Sequence, residues 1–113
     1  MEAEAELNDT RTAQAIWEAL PLKGHVSLWG DEIYFWIPLS LKLETGQEVV
    51  SIGDLAYWPT GNAFCIFFGP TPVSQSGEIR AASQVVVFGK VISPTTIFKK
   101  VLSGTEIIIQ RKE

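Results

Sequence analysis

The chain opens on a strict alternation. Glu2, Glu4 and Glu6 interleave with Ala3, Ala5 and Leu7, the period-two pattern of a strand with one face on a core. The period then changes: Ala13, Ile16, Trp17 and Leu20 fall at i, i+3, i+4 and i+7, a stripe down one side of a helix. Asn8, Asp9 and Thr10 offer oxygens to the orphan amides of its first turn, and Pro21 stops it. Trp17, lying on the stripe, is expected to plug the core.

From Lys23 to Val91 the apolar runs are short and separated by turn residues, which predicts strands. They are His25–Trp29, Glu32–Ile37, Leu39–Glu44, Glu48–Ile52, Leu55–Trp58, Ala63–Phe68 and Gln84–Ile92. Gly30-Asp31, Thr45-Gly46 and Pro59-Thr60-Gly61-Asn62 mark reversals, and Gly69 to Gly77 reads as a long loop. Ser93-Pro94 predicts a second helix to about Leu102, with Gly104 as its stop and Thr105–Arg111 as a last strand. The pattern predicts a mainly β fold: a closed β-barrel of about eight mostly antiparallel strands with two short helices. A β-sandwich is the alternative. Closure is favoured because strands as apolar as AFCIFF and VVVF are hazardous at open edges.

Composition narrows this little further. With 113 residues, 46% hydrophobic and 19% charged, and with no repeat or linker, residues 1–113 read as a single domain. A net charge of −4, with Lys and Arg scattered after residue 40 apart from two short pairs, gives no footprint for nucleic acid. No apolar run reaches the ~18 residues of a membrane helix, and the acidic start is no signal peptide. A cytoplasmic protein with no membrane partner is expected. Cys65, the single cysteine, excludes an internal disulfide and a cysteine-rich zinc site, and is expected as a small buried hydrophobe.

Three segments together, WGDEIYFWIPL (Trp29–Leu39), GDLAYWPTGNAFCIFFGPTP (Gly53–Pro72) and EIRAASQVVVFGKV (Glu78–Val91), carry a resemblance. In this order they resemble a family of small prokaryotic cyclophilin-like proteins, free-standing domains mostly of unassigned function. The resemblance covers nearly the whole chain and implies a cyclophilin-like barrel. It also implies a further strand ahead of AEAEL, where this sequence has only Met1 and Glu2. The expectation is a domain that lacks the family's first strand, with an exposed N-terminal edge and a homodimer formed through it.

Catalytic sets are hard to assemble from these residues. The single histidine, His25, lies in a different strand from Cys65, and no G-x-S-x-G elbow, phosphate loop or metal-ligand spacing occurs. No catalytic residue, metal ligand or cofactor is expected. What remains is aromatic. Tyr34 and Trp36 face away from Ile33, Phe35 and Ile37, Trp58 alternates in the same way, and Phe68 shares a strand face with Phe64. Arg80, flanked by small residues, offers a fork of donors, although a surface salt bridge would occupy it equally well. Tyr34, Trp36, Trp58, Phe68 and Arg80 therefore form the expected ligand site, an aromatic groove for a small organic acid or a short peptide.

The resemblance implies one alternative, a peptidyl-prolyl isomerase. That reaction needs no nucleophile, only a held and twisted amide. The Phe-His-Arg context of the cyclophilin arginine is not found around Arg80, so the catalytic residues do not map across. A second alternative is a structural subunit of a larger complex.

Overall fold

The computed structural model of the chain describes residues 1–112. In chain order it holds β1 (Ala5–Leu7), α1 (Arg11–Ala19), β2 (Leu22–His25), β3 (Ser27–Leu28), β4 (Glu32–Trp36), β5 (Gln47–Val50), β6 (Asp54–Trp58), β7 (Ala63–Phe67), β8 (Ile79–Val91) and β9 (Glu106–Ile109). Two 3-10 segments, Pro59–Gly61 and Thr95–Lys100, complete the set. The strands pair antiparallel in the order β1-β8-β6-β7-β4-β3, with β5 on the early part of β8 and a separate β2-β9 pair.

The fold is mainly β with two helices, and its sheets are antiparallel. The expected closure is not formed among the described residues. The ladder ends at β1 and at β3, and β9 pairs with β2. The reason lies at Val26. Its amide donates to the Thr105 carbonyl at 2.8 Å, and its carbonyl accepts from Gly104 at 2.7 Å, which turns β2 onto β9. Between β9 and β1 no backbone ladder runs.

Alternation along each strand gives the main sheet two buried faces. Ile33, Phe35, Leu55, Tyr57, Phe64, Ile66 and Phe88 point to the larger core, where α1 contributes Ala13 and Ile16. Phe64 anchors that core, 5.1 Å from the Phe35 ring and 5.1 Å from the Phe88 ring. The opposite face carries Ala56, Ala63, Cys65, Phe67, Ala81 and Val85, with Tyr34 and Trp58 packed against them. β7 is therefore buried along its whole length. A register shift between Leu55 and Ala56, opposite Val87–Gly89, lets Phe88 and Val91 face the same core despite their odd spacing.

Several local expectations change. α1 starts where predicted, with Thr10 Oγ1 accepting from the Ala13 amide at 3.0 Å. Trp17 is not a core plug: it is 40% exposed, with the Arg111 guanidinium 4.8 Å above its ring. Leu39–Glu44 forms no strand, because the Tyr57 hydroxyl donates to the Leu39 carbonyl and accepts from the Leu41 amide. The second helix is a six-residue 3-10 segment. Ser93, its expected cap, accepts instead from the Glu4 amide at 2.8 Å, and Thr95-Thr96 is a poor helix start.

Candidate functional site

The second face of the sheet opens into a cleft of about 270 Å³ lined by Trp29, Glu32, Tyr34, Trp58, Ala81, Ala82 and Val85. Its shape follows from the sequence. Glu32 and Tyr34 are two apart on β4 and share a face, and across the ladder Tyr34 meets Cys65 while Trp58 meets Ala63. Ala81, Ala82 and Ser83 on β8 are small, so the aromatic residues have no bulky partner opposite them and space remains.

Trp29 joins the cleft through a tight hairpin. Its amide donates to the Glu32 carbonyl at 3.0 Å, and the Glu32 amide returns the bond at 3.2 Å. Residues paired directly across a two-residue turn project to one side, so Trp29 and Glu32 face the same space. Gly30 permits the turn: its φ is +60°, and a Cβ there would lie 2.9 Å from the Pro70 carbonyl oxygen. Trp58 is held at both edge and face. Its indole N–H donates to Ser83 Oγ at 2.7 Å, and a Cβ on Gly61 would come within 2.6 Å of its six-membered ring.

Glu32 is the polar group of this cleft, with only 6% of its surface exposed. Burial pushes its carboxyl up from 4.5 to about 7, and a hydrogen bond from the Cys65 thiol offsets only part of that. Beneath it Cys65 is fully buried, and its thiol is pushed well above its ordinary 9.0 by burial first and by the Glu32 charge second. Cys65 is therefore a neutral packing group rather than a nucleophile. Glu32 holds a proton near neutrality and can accept or donate hydrogen bonds inside an apolar, aromatic wall.

Of the five residues expected to form the groove, the structure brings Tyr34 and Trp58 together in this cleft. Trp36 shares their strand face but lies at the β4 end, 64% exposed. Phe68 belongs to the other face, buried with its ring 5.8 Å from that of Phe98. Arg80 is held by two carboxylates: Nε lies 2.7 Å from Glu78 Oε2, and Nη1 lies 3.2 Å from Glu48 Oε1. Each partner favours the other's charged form, so the Glu78 carboxyl is lowered and the Arg80 guanidinium raised. Trp29 and Glu32 were not among the expected residues. The signal that could have found them is the Trp-Gly-Asp-Glu spacing, which makes its two outer residues cross-strand partners.

A second, larger opening of about 1010 Å³ lies between β1 and β9. Leu7, Ile16, Leu20, Ile107 and Ile109 line it, and at its rim Lys112 Nζ lies 2.7 Å from Glu4 Oε1.

The family model described as cyclophilin-like matches residues 1–110. The chain belongs to the cyclophilin-like family. A similar solved structure is the solution structure of the hypothetical protein AF2241 from Archaeoglobus fulgidus, 39% identical, with a TM-score of 0.81. The match covers 98% of this chain and 87% of that one. None of the curated proteins matches. Membership thus brings the fold but assigns no chemistry to the cleft, whose reading rests on its own residues. Among the described residues no helix is long and apolar enough to cross a membrane, and no group of three His, Cys, Asp or Glu side chains is placed to hold a metal ion.

Proposed function

We propose that this cyclophilin-like domain is a binding module whose ligand, a small molecule or one side chain of a short peptide, enters the cleft of Trp29, Glu32, Tyr34 and Trp58. One observation carries the reading: a buried carboxyl faces an open, aromatic-lined space instead of a protein partner. A buried polar group without a strong partner destabilises a fold, so its retention suits a ligand that completes it. The expected organic acid anchored by Arg80 has less support, because that guanidinium is committed to Glu48 and Glu78. Prolyl isomerisation of the cyclophilin kind, which uses an arginine in the groove, likewise has less support, because no basic side chain lines the cleft among the described residues.

A thermal-shift screen of small compounds, followed by Trp58→Ala, tests the module. A ligand at 100 times its dissociation constant adds about 2.7 kcal/mol of stability. The expected result is a hit that raises the melting temperature of the native protein and leaves Trp58→Ala unmoved. If every hit stabilises Trp58→Ala equally, the cleft is not the site.

The open edge of β1 favours a second reading, for assembly. We propose that a second copy pairs there, since the larger opening exposes apolar walls beside a strand whose outer edge carries no partner.

A further inference from the structure

We propose that the cleft selects a compact organic cation, an alkylammonium head group, over neutral or acidic molecules of the same shape. The inference rests on the binding reading above and adds the sign of the ligand's charge. Two indoles and a phenol line the space, and a cation over such rings is attracted by their quadrupoles, most strongly for tryptophan. Glu32 adds a carboxyl that is nine-tenths buried and lines this space with no basic side chain beside it.

Charge around the site points the same way. The groups facing Glu32 are Tyr34 on its own strand, Cys65 on β7, Trp58 on β6, Trp29 across the hairpin, and Ala81, Ala82 and Val85 on β8. No basic side chain lines the cleft among the described residues. The nearest arginine in sequence, Arg80, alternates away from Ala81 and is neutralised by Glu48 and Glu78. An anion entering here would meet a carboxyl with no counter-charge, whereas a cation restores the charge balance that burial removes. Size limits the class: about 270 Å³ is below the ~300–1,000 Å³ of pockets for drug-sized ligands.

The test uses three molecules of one shape on the 15N-labelled full chain: choline, its neutral isostere 3,3-dimethylbutan-1-ol and the anion 3,3-dimethylbutanoate. The indole N–H signals of Trp29 and Trp58 report binding by NMR. The expected result is saturable binding of choline, at least tenfold tighter than the neutral isostere, with no shift from the anion. Glu32→Gln should weaken choline at least tenfold and leave the neutral isostere unchanged. Trp58→Leu, which keeps an apolar wall but deletes the ring, should weaken choline alone, read at Trp29. The inference is overturned if the neutral or anionic molecule binds as tightly as choline, or if both variants bind choline undiminished. If choline moves neither indole while a screened ligand still depends on Trp58, the cation inference falls and the cleft reading stands. If no compound depends on Trp58, both fall.

Discussion

Glu32 occupies a position where an apolar side chain would stabilise the fold. Its carboxyl is raised from 4.5 to about 7, so between those values the native state binds a proton that the unfolded chain has released. Stability then falls as pH rises through that window. The contribution is complete below about 4.5 and lost above about 7, a difference of about 3 kcal/mol at ~1.4 kcal/mol per tenfold change in proton affinity. Glu44 and Glu78, whose carboxyls are lowered, slope the opposite way and lose their contribution as pH falls. Comparison with Glu32→Gln isolates the buried group. In urea unfolding the variant should gain on the native protein by about 2–3 kcal/mol between pH 4.5 and pH 8, with the sign favouring Gln at the alkaline end. A pH-independent difference would mean that Glu32 titrates normally. This residue was half legible in the sequence. Alternation placed Glu32 on the face of Tyr34 and Trp36, but not the burial that changes its chemistry, because burial comes from β7 and β8, far along the chain.

Elements were legible where a local pattern decides them and illegible where a distant partner does. The α1 stripe and cap, the Pro59–Asn62 reversal and the hairpin strand β7 all follow from adjacent residues. The Leu39–Glu44 run alternates like a strand, yet the Tyr57 hydroxyl, a side chain from β6, takes the backbone groups a ladder would use. Phe68 and Trp58 were grouped by composition, but the sheet sends them to opposite faces. Arg80 is settled at this scale too: with Glu48 on β5 and Glu78 before β8, it ties the start of β8 to its partner strand. All three side chains are partly exposed, and solvent screens such pairs so that they stabilise a fold little. Arg80→Ala is therefore expected to lower stability only slightly and to leave the affinity of a cleft ligand within about twofold, measured by titration. A loss of tenfold or more would return Arg80 to the binding site.

At the scale of the whole molecule, β1 ends the main ladder without meeting β9, and the opening between these two strands reaches the main core. Its walls are apolar, with Leu7, Ile16, Leu20 and Ile107 beside an edge whose outward backbone groups have no ladder. The direction of those groups follows from the pairing with β8. Asn8 donates to Phe88 and Glu4 accepts from Ile92, so the even positions of β1 face β8 and the amides of Ala5 and Leu7 alternate away from it. Two copies related by a twofold axis can pair these edges antiparallel, each supplying the donors the other lacks, which is the closed symmetry a dimer requires. Light scattering should then give a mass near twice 12.5 kDa. Proline at position 5 removes an outward donor while sparing the bonds to β8. Ala5→Pro should thus return a monomer whose α1 and core signals in NMR are unchanged. A native chain that stays at 12.5 kDa at high concentration would rule out pairing through this edge. A dimer that survives Ala5→Pro would place the contact elsewhere.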